Sequence, residues 1–231
     1  MKIGILQTGY APDALQLTHG DFPDLFIKLL DGQDFDFQTW RVVDMDFPTG
    51  TDQADAWLIT GSKHGVYEDH AFIPPLEQFI RDIQASGKPE KPLVGVCFGH
   101  QIIAKALGGR VEKFDGGWRV GRFDYDFGGE TLALNAWHQD QVLDLPAGAR
   151  RIASGPMCEN AAVVYGDSIF TIQPHPEFGT AYGHDMIEQR GPGIVPDDLL
   201  SRARAAADLP LDAGRLGARI ARFLKTKEIP A

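Results

Sequence analysis

Apolar residues follow two rhythms along this chain. Short unbroken runs that end in polar loops bearing glycine or proline read as buried parallel strands: Ile3-Gly4-Ile5-Leu6-Gln7, Ala56-Trp57-Leu58-Ile59 and Lys91-Pro92-Leu93-Val94. Phe35 to Val43 alternates in part and reads as a further strand. Between these runs the apolar positions recur at helical spacing. Phe22, Leu25, Phe26, Leu29 and Leu30 share one face behind Asp21, which suits an N-cap. Leu76, Phe79, Ile80 and Ile83 share another, opened by Pro74-Pro75 and closed by Gly87, Pro89 and Pro92. Ile102 to Leu107 forms a third, with Gly108-Gly109 as its C-cap. The polar stretch from Thr8 to Gly20 reads as a loop at the carboxyl end of the first strand. Strands alternating with helices in this way predict an α/β fold: an open, mostly parallel central sheet flanked by helices.

After Gly109 the texture changes. Arg110 to Phe114 and Arg119 to Phe127 mix charges with apolar residues and predict strands of a small, more exposed antiparallel sheet, with turns at Gly116-Gly117 and Gly128-Gly129. Ile152-Ala153, Ala162 to Tyr165 and Ile169 to Ile172 predict further short strands, the last two as a hairpin about Gly166-Asp167. From Thr180 onward the pattern is helical, interrupted by a linker at Gly191 to Pro196. Leu216, Ile220, Phe223 and Leu224 form one face of the final helix, capped by Asp212. The expected organisation is a body over residues 1–179 and a helical extension over 180–231 packed on it.

The 231 residues suffice for one domain with a substantial core. A net charge of −10 argues against nucleic acid or an anionic membrane as partner. No apolar run reaches the roughly eighteen residues of a membrane span, and Met1 to Leu6 leads into a strand rather than a signal-peptide layout. Two cysteines, Cys97 and Cys158, form no disulfide framework, so a reducing, cytoplasmic setting is expected.

The chemistry concentrates where the third strand-to-helix switch falls. Gly95-Val96-Cys97-Phe98-Gly99-His100-Gln101 has the Gly-x-nucleophile-x-Gly pattern of a nucleophile elbow, with sulfur as the nucleophile. The sharp turn crowds the backbone on either side, which glycine relieves. The unpaired N–H groups of the following helix favour thiolate over thiol, whose unperturbed pKa is about 8.5. A cysteine nucleophile needs a base. Of seven histidines, His100 is tied to the elbow helix, whereas His175 follows a strand and has an acid two residues on. Residues i and i+2 of an extended segment point the same way, so Glu177 is placed to orient the imidazole, and Pro174 and Pro176 restrain the backbone beside it. An oxyanion would need donors, for which the N–H of Phe98 and that of Gly61 in Thr60-Gly61-Ser62 are the candidates.

The elbow, taken with His175-Pro176-Glu177, resembles the class I glutamine amidotransferase domain over roughly residues 2–178. The resemblance implies a flavodoxin-like architecture, a Cys97-His175-Glu177 triad and an oxyanion hole at Gly61 and Phe98. It implies contact between Gln101 and the substrate glutamine. Asn135 to Val142 is similar to the family segment that grips the α-amino and α-carboxylate groups, which assigns substrate binding to Trp137, His138, Gln139 and Asp140. His138 is on that view a residue of a binding loop and not the base, and Gln139 stands where many members carry glycine.

The implied reaction is hydrolysis of the glutamine side-chain amide, releasing ammonia and glutamate. No cofactor and no metal site are expected: the histidines and cysteines show no zinc-type spacing, and no phosphate-binding glycine motif occurs. Three readings stay open. The protein serves a separate synthetase subunit with ammonia, or it is a free-standing hydrolase of γ-glutamyl amines or peptides, or it is a non-catalytic regulatory or binding protein. The extension from Thr180 is expected to cover the site, pack on the sheet or make a homodimer.

Overall fold

The computed structural model describes residues 1–85 and 91–229. β1 (Lys2–Leu6) is buried along nearly its whole length, and Gly4 lets the Trp57 ring lie across it: a Cβ there would come within 2.3 Å of that ring. The stretch expected as a loop contains a helix, α1 (Asp13–His19), with Pro12 at its N-cap. Only Leu15 of it is buried, so it shows no periodic apolar stripe. α2 (Phe22–Leu29) starts as expected on Asp21, whose carboxylate and that of Asp24 form a reciprocal capping box.

β2 (Asp36–Trp40) is shorter than the sequence suggests, because Val42–Asp44 winds into a single tight helical turn. β3 (Ala56–Ile59) is wholly buried and leads through a polar loop to α3 (Ile73–Ala85), which buries Leu76, Phe79, Ile80 and Ile83. Its expected stop at Gly87 and Pro89 lies outside the described residues. β4 (Leu93–Val96) runs into α4 (Phe98–Ala106), and Gly108 follows with φ 97°, the left-handed conformation that ends a helix.

The strands that follow are β5 (Arg110–Lys113), β6 (Arg119–Phe127), β7 (Glu130–His138), β8 (Asp140–Asp144), β9 (Ala149–Gly155), β10 (Cys158–Tyr165) and β11 (Ile169–Ile172). Helices α5 (Thr180–Asp185), α6 (Asp197–Ala206) and α7 (Ala213–Thr226) follow in turn, with a wider helical turn at Met186–Arg190 extending α5.

Nine strands form one sheet in the order β2-β1-β3-β4-β11-β10-β9-β6-β7. The strands from β2 to β11 in that order are parallel, and antiparallel strands continue from β10 to β7. The predicted hairpin joins β10 to β11. Two expectations about the middle of the sequence need correction. Arg119 to Phe127 belongs to the central sheet, and the small antiparallel sheet is β5 with β8. The segment around Asn135 is strand, not loop: Glu130 to His138 pairs residue for residue with β6.

Both faces of the sheet are covered, as alternation along its strands requires. Ile3, Ile5, Val94 and Val96 face one layer with Phe26 of α2 and Leu216, Ile220, Phe223 and Leu224 of α7. Leu6, Trp57, Ile59 and Leu93 face the other, with α3 and α4. Each buried Leu, Ile or Phe of these layers contributes roughly 1.5–3 kcal/mol by leaving water. Asp212 precedes α7 but does not cap it through its side chain. Its carboxylate accepts from Ala133 N–H at 2.9 Å and its own N–H donates to the Ala133 carbonyl at 2.8 Å, pinning α7 to β7. Among the described residues, no helix is long and apolar enough to cross a membrane.

Candidate active site

The turn between β4 and α4 holds Cys97 at φ 52°, ψ −103°, a conformation that costs a non-glycine residue on the order of 1–3 kcal/mol. The sheet and helix sustain it: Cys97 N–H donates to the Ile172 carbonyl at 2.9 Å, and its carbonyl accepts from Gln101 N–H at 3.0 Å. The flanking glycines are sterically required. A Cβ at Gly95 would meet the Gly99 carbonyl oxygen at 2.5 Å, and one at Gly99 would meet the Ile59 carbonyl oxygen at 2.4 Å.

β11, the neighbour of β4, brings up His175. Just past its end His175 N–H donates to the Asn135 carbonyl of β7 at 2.8 Å, a single antiparallel bridge. The His175 ring stacks on Phe178 with centroids 3.9 Å apart and planes 5° from parallel. Asn135 also donates its side-chain amide to the Phe178 carbonyl at 2.9 Å, so one residue steadies both partners of the stack. Nδ1 of His175 lies 2.7 Å from Glu177 Oε1, with both side chains buried. Cys97 stands close enough to the ring to raise its pKa. With Nδ1 committed to the carboxylate, Nε2 is the atom left for the thiol.

Burial alone would push the His175 pKa down. The Glu177 charge, then Cys97, outweigh it and hold the imidazole up at about 10. His138 shows the contrary case: burial, then the nearby His175, push it down to about 3. His100 is excluded from the constellation. Its ring turns to Thr171 Oγ1 at 2.7 Å, and burial lowers it to about 3.

Gly61 and Phe98 lie beside Cys97. A Cβ at Gly61 would stand 3.1 Å from His175 Cε1 and 3.7 Å from Cys97 Cβ. The peptide that carries the Gly61 N–H is fixed through its carbonyl, Thr60 O, which accepts from Gly99 N–H at 3.1 Å and Thr8 Oγ1 at 3.0 Å. Phe98 opens α4, where an N–H has no intrahelical acceptor.

Cys97 and His175 open onto a cavity of about 790 Å³ whose wall includes Gln101, Trp137, His138, Gln139 and Asp140. The last four occupy the corner between β7 and β8. Gln101 spans the gap to that corner: its amide donates to the Asp140 carbonyl at 2.9 Å and to Gln173 Oε1 at 3.1 Å. Gln139 braces the corner from the other side, its carbonyl accepting from Phe114 N–H at 3.1 Å. The C-terminal segment reaches the same cavity through Met186, Arg190 and Ile194, while α7 packs on the sheet.

Sequence reasoning missed several contributors. Thr8, Asn135 and Phe178 act by contact, and nothing in their spacing announces it. His64, Glu68 and His70 converge in the loop after β3, against the expectation of no metal-type cluster; their signal is the His-x-x-x-Glu-x-His spacing.

Comparison with known proteins bears on this geometry. Residues 41–191 match the family Glutamine amidotransferase class-I. A glutamine amidotransferase-like protein of Schizosaccharomyces pombe is 29% identical over 96% of this chain and 98% of its own length. Gamma-glutamyl peptidase 4 of Arabidopsis thaliana is 30% identical over 74% of each protein. A glutamine-hydrolyzing GMP synthase of Macrococcus caseolyticus is 29% identical over 56% of this chain and only 26% of that protein. The crystal structure of a glutamine amido transferase from Methylobacillus flagellatus superposes with a TM-score of 0.75 at 21% identity, covering 98% of this chain and 94% of the other. That likeness shows the shared fold.

Proposed function

Because this protein belongs to the class I glutamine amidotransferase family, we propose that it cleaves the amide C–N bond of γ-glutamyl amides with Cys97 as nucleophile. His175 is the acid–base and Glu177 the carboxylate that orients it. The observation that carries the reading is a buried carboxylate hydrogen-bonded to an imidazole, with that imidazole and the Cys97 thiol side by side at the wall of one cavity.

The Cys97 thiolate attacks the γ-carbonyl carbon, and the developing oxyanion is met by the N–H groups of Gly61 and Phe98. Each such donor is typically worth about 3–4 kcal/mol. The tetrahedral adduct collapses as His175 gives its proton to the departing nitrogen, leaving a γ-glutamyl thioester and free amine or ammonia. Water then gives a proton to His175, adds to the thioester and releases glutamate and the thiolate. Glu177 keeps the ring in one tautomer and offsets the imidazolium charge. Trp137, His138, Gln139 and Asp140, with Gln101 behind them, form the wall that would hold the α-amino and α-carboxylate groups.

Two observations favour γ-glutamyl peptides or amines over glutamine. The cavity lies well within the range of roughly 300–1,000 Å³ typical of drug-sized ligands, with more room than glutamine fills. The γ-glutamyl peptidase aligns along most of its length, whereas the synthetase aligns over about a quarter. The second reading, glutamine hydrolysis feeding ammonia to a separate synthetase, draws on that synthetase relationship. A panel of glutamine, γ-glutamyl amines and γ-glutamyl dipeptides, with amine and glutamate both measured, separates them. Turnover confined to glutamine would select the second reading, and turnover of none with Cys97 intact would reject both. Residues 180–231 we read as an extension that narrows the cavity through Met186, Arg190 and Ile194. A reducing cytoplasm is the compartment this reading favours, since a reactive thiol must stay reduced.

A further inference from the structure

The loop that begins at Gly61 carries a second cluster of chemistry, separate from the sulfur and its base. His64, Glu68 and His70 each offer one ligand atom, and these atoms all lie within 4.8 Å of one another. Glu68 Oε2 is the hub, 2.7 Å from His70 Nε2 and 3.5 Å from His64 Nδ1. A tetrahedral zinc ion with bonds of about 2.0–2.1 Å sets its ligand atoms about 3.3 Å apart, a spacing these two distances bracket.

The surroundings suit ligation rather than simple ion pairing. The two imidazole centroids are only 4.0 Å apart, and two charged rings at that distance would repel. Phe72 backs both rings, with centroids 5.8 Å from His70 and 6.0 Å from His64, and Phe98 follows it at 5.9 Å. Backbone bonds from His64 N–H to Ser62 Oγ, Glu68 N–H to the Gly65 carbonyl and His70 N–H to the Glu68 carbonyl hold the loop in shape. The side chains are 21%, 45% and 34% exposed for His64, Glu68 and His70, open enough for an ion to enter. Lys63 is the opposing charge beside His64.

We propose that His64, Glu68 and His70 form a binding site for a divalent transition ion of the zinc type, on the wall of the cavity that Cys97 shares. Two imidazole nitrogens and one carboxylate match zinc, and three protein ligands leave a coordination position for water or a ligand. Calcium and magnesium, which take oxygen ligands, do not fit. His64 and Glu68 line the cavity, so a bound ion would stand in its wall and fasten the loop that starts at Gly61. The site is independent of the hydrolysis proposed above and survives its failure.

Equilibrium dialysis of the metal-free full-length protein against Zn²⁺, with Co²⁺ absorbance as a coordination probe, tests it. Roughly one ion per protein molecule is expected. His64→Ala and His70→Ala should each weaken binding by at least about tenfold, the scale on which even outer-sphere partners matter. Glu68→Gln should weaken it as well, while Cys97→Ser and Cys158→Ser should leave it unchanged. Co²⁺ should give tetrahedral bands without thiolate charge transfer. Substoichiometric binding, binding retained in all three loop variants, or binding lost in Cys97→Ser would overturn the proposal. Circular dichroism of each variant distinguishes loss of ligands from loss of fold.

Discussion

His138 at the β7–β8 corner and His175 past the end of β11 make an instructive pair. Both rings are almost fully buried, and both belong to the wall of one cavity. His138 faces a backbone carbonyl, Asp140 O at 3.3 Å, and burial holds it neutral. His175 faces a carboxylate at 2.7 Å, and that charge reverses the effect of the same burial. Residue type and depth do not decide the protonation state of a buried histidine; the partner does. The neutral ring suits a substrate contact, and the charged one suits proton transfer next to a thiolate.

The sharpest way to break the comparison is to remove what His175 serves. Cys97→Ala should lower kcat/KM on the best γ-glutamyl substrate on the order of 10⁶-fold, with an unchanged circular dichroism spectrum. His175→Asn keeps a polar side chain but no base, and should cost roughly 10⁴-fold, the top of the range for acid–base catalysis. Glu177→Gln makes His175 resemble His138. It should cost roughly 10²-fold, and the His175 titration followed by NMR should move down as its largest upward influence disappears. His138→Gln should act mainly on KM, by up to about tenfold, the worth of one hydrogen bond. A kcat loss in His138→Gln equal to that of His175→Asn would erase the distinction.

The pair also predicts opposite stability profiles. His175 titrates higher in the folded protein than at its ordinary 6.5. Its contribution is therefore full below that value and is lost as pH climbs through about 10. His138 titrates lower when folded, so its contribution is full above 6.5 and is lost as pH falls toward 3. Thermal midpoints against pH should show a flatter alkaline limb in His175→Asn and a flatter acid limb in His138→Gln. The second effect is the smaller, because His100 adds to the same acid limb.

What can be read from the sequence follows from which forces are local. The parallel strands, the elbow glycines, the Asp21 cap and the β10–β11 hairpin each depend on residues close in sequence, and each stands in the structure near its expected place. α1 escapes notice because Leu15 is its sole buried side chain and no periodicity marks it. β7 escapes because Asn135 to Asp140 resembles a gripping segment of the family and carries no clear alternation. The register with β6, a long-range pairing, is what makes most of it strand. Asp212 looks like a cap locally, yet Ala133, distant in sequence, claims its carboxylate. The meeting of Cys97 with His175 is legible from two short motifs. The stacking of Phe178, the bracing by Asn135 and the convergence of His64 with His70 depend on the folded path.

The account rests on Cys97 taking a γ-glutamyl group. Intact-protein and peptide mass spectrometry after acid quench, early in turnover of a γ-glutamyl dipeptide, reads that step directly. The account predicts a γ-glutamyl adduct on the Cys97 peptide that hydroxylamine removes and that is missing in Cys97→Ala. Turnover with no adduct, or an adduct on Cys158 instead, would contradict it.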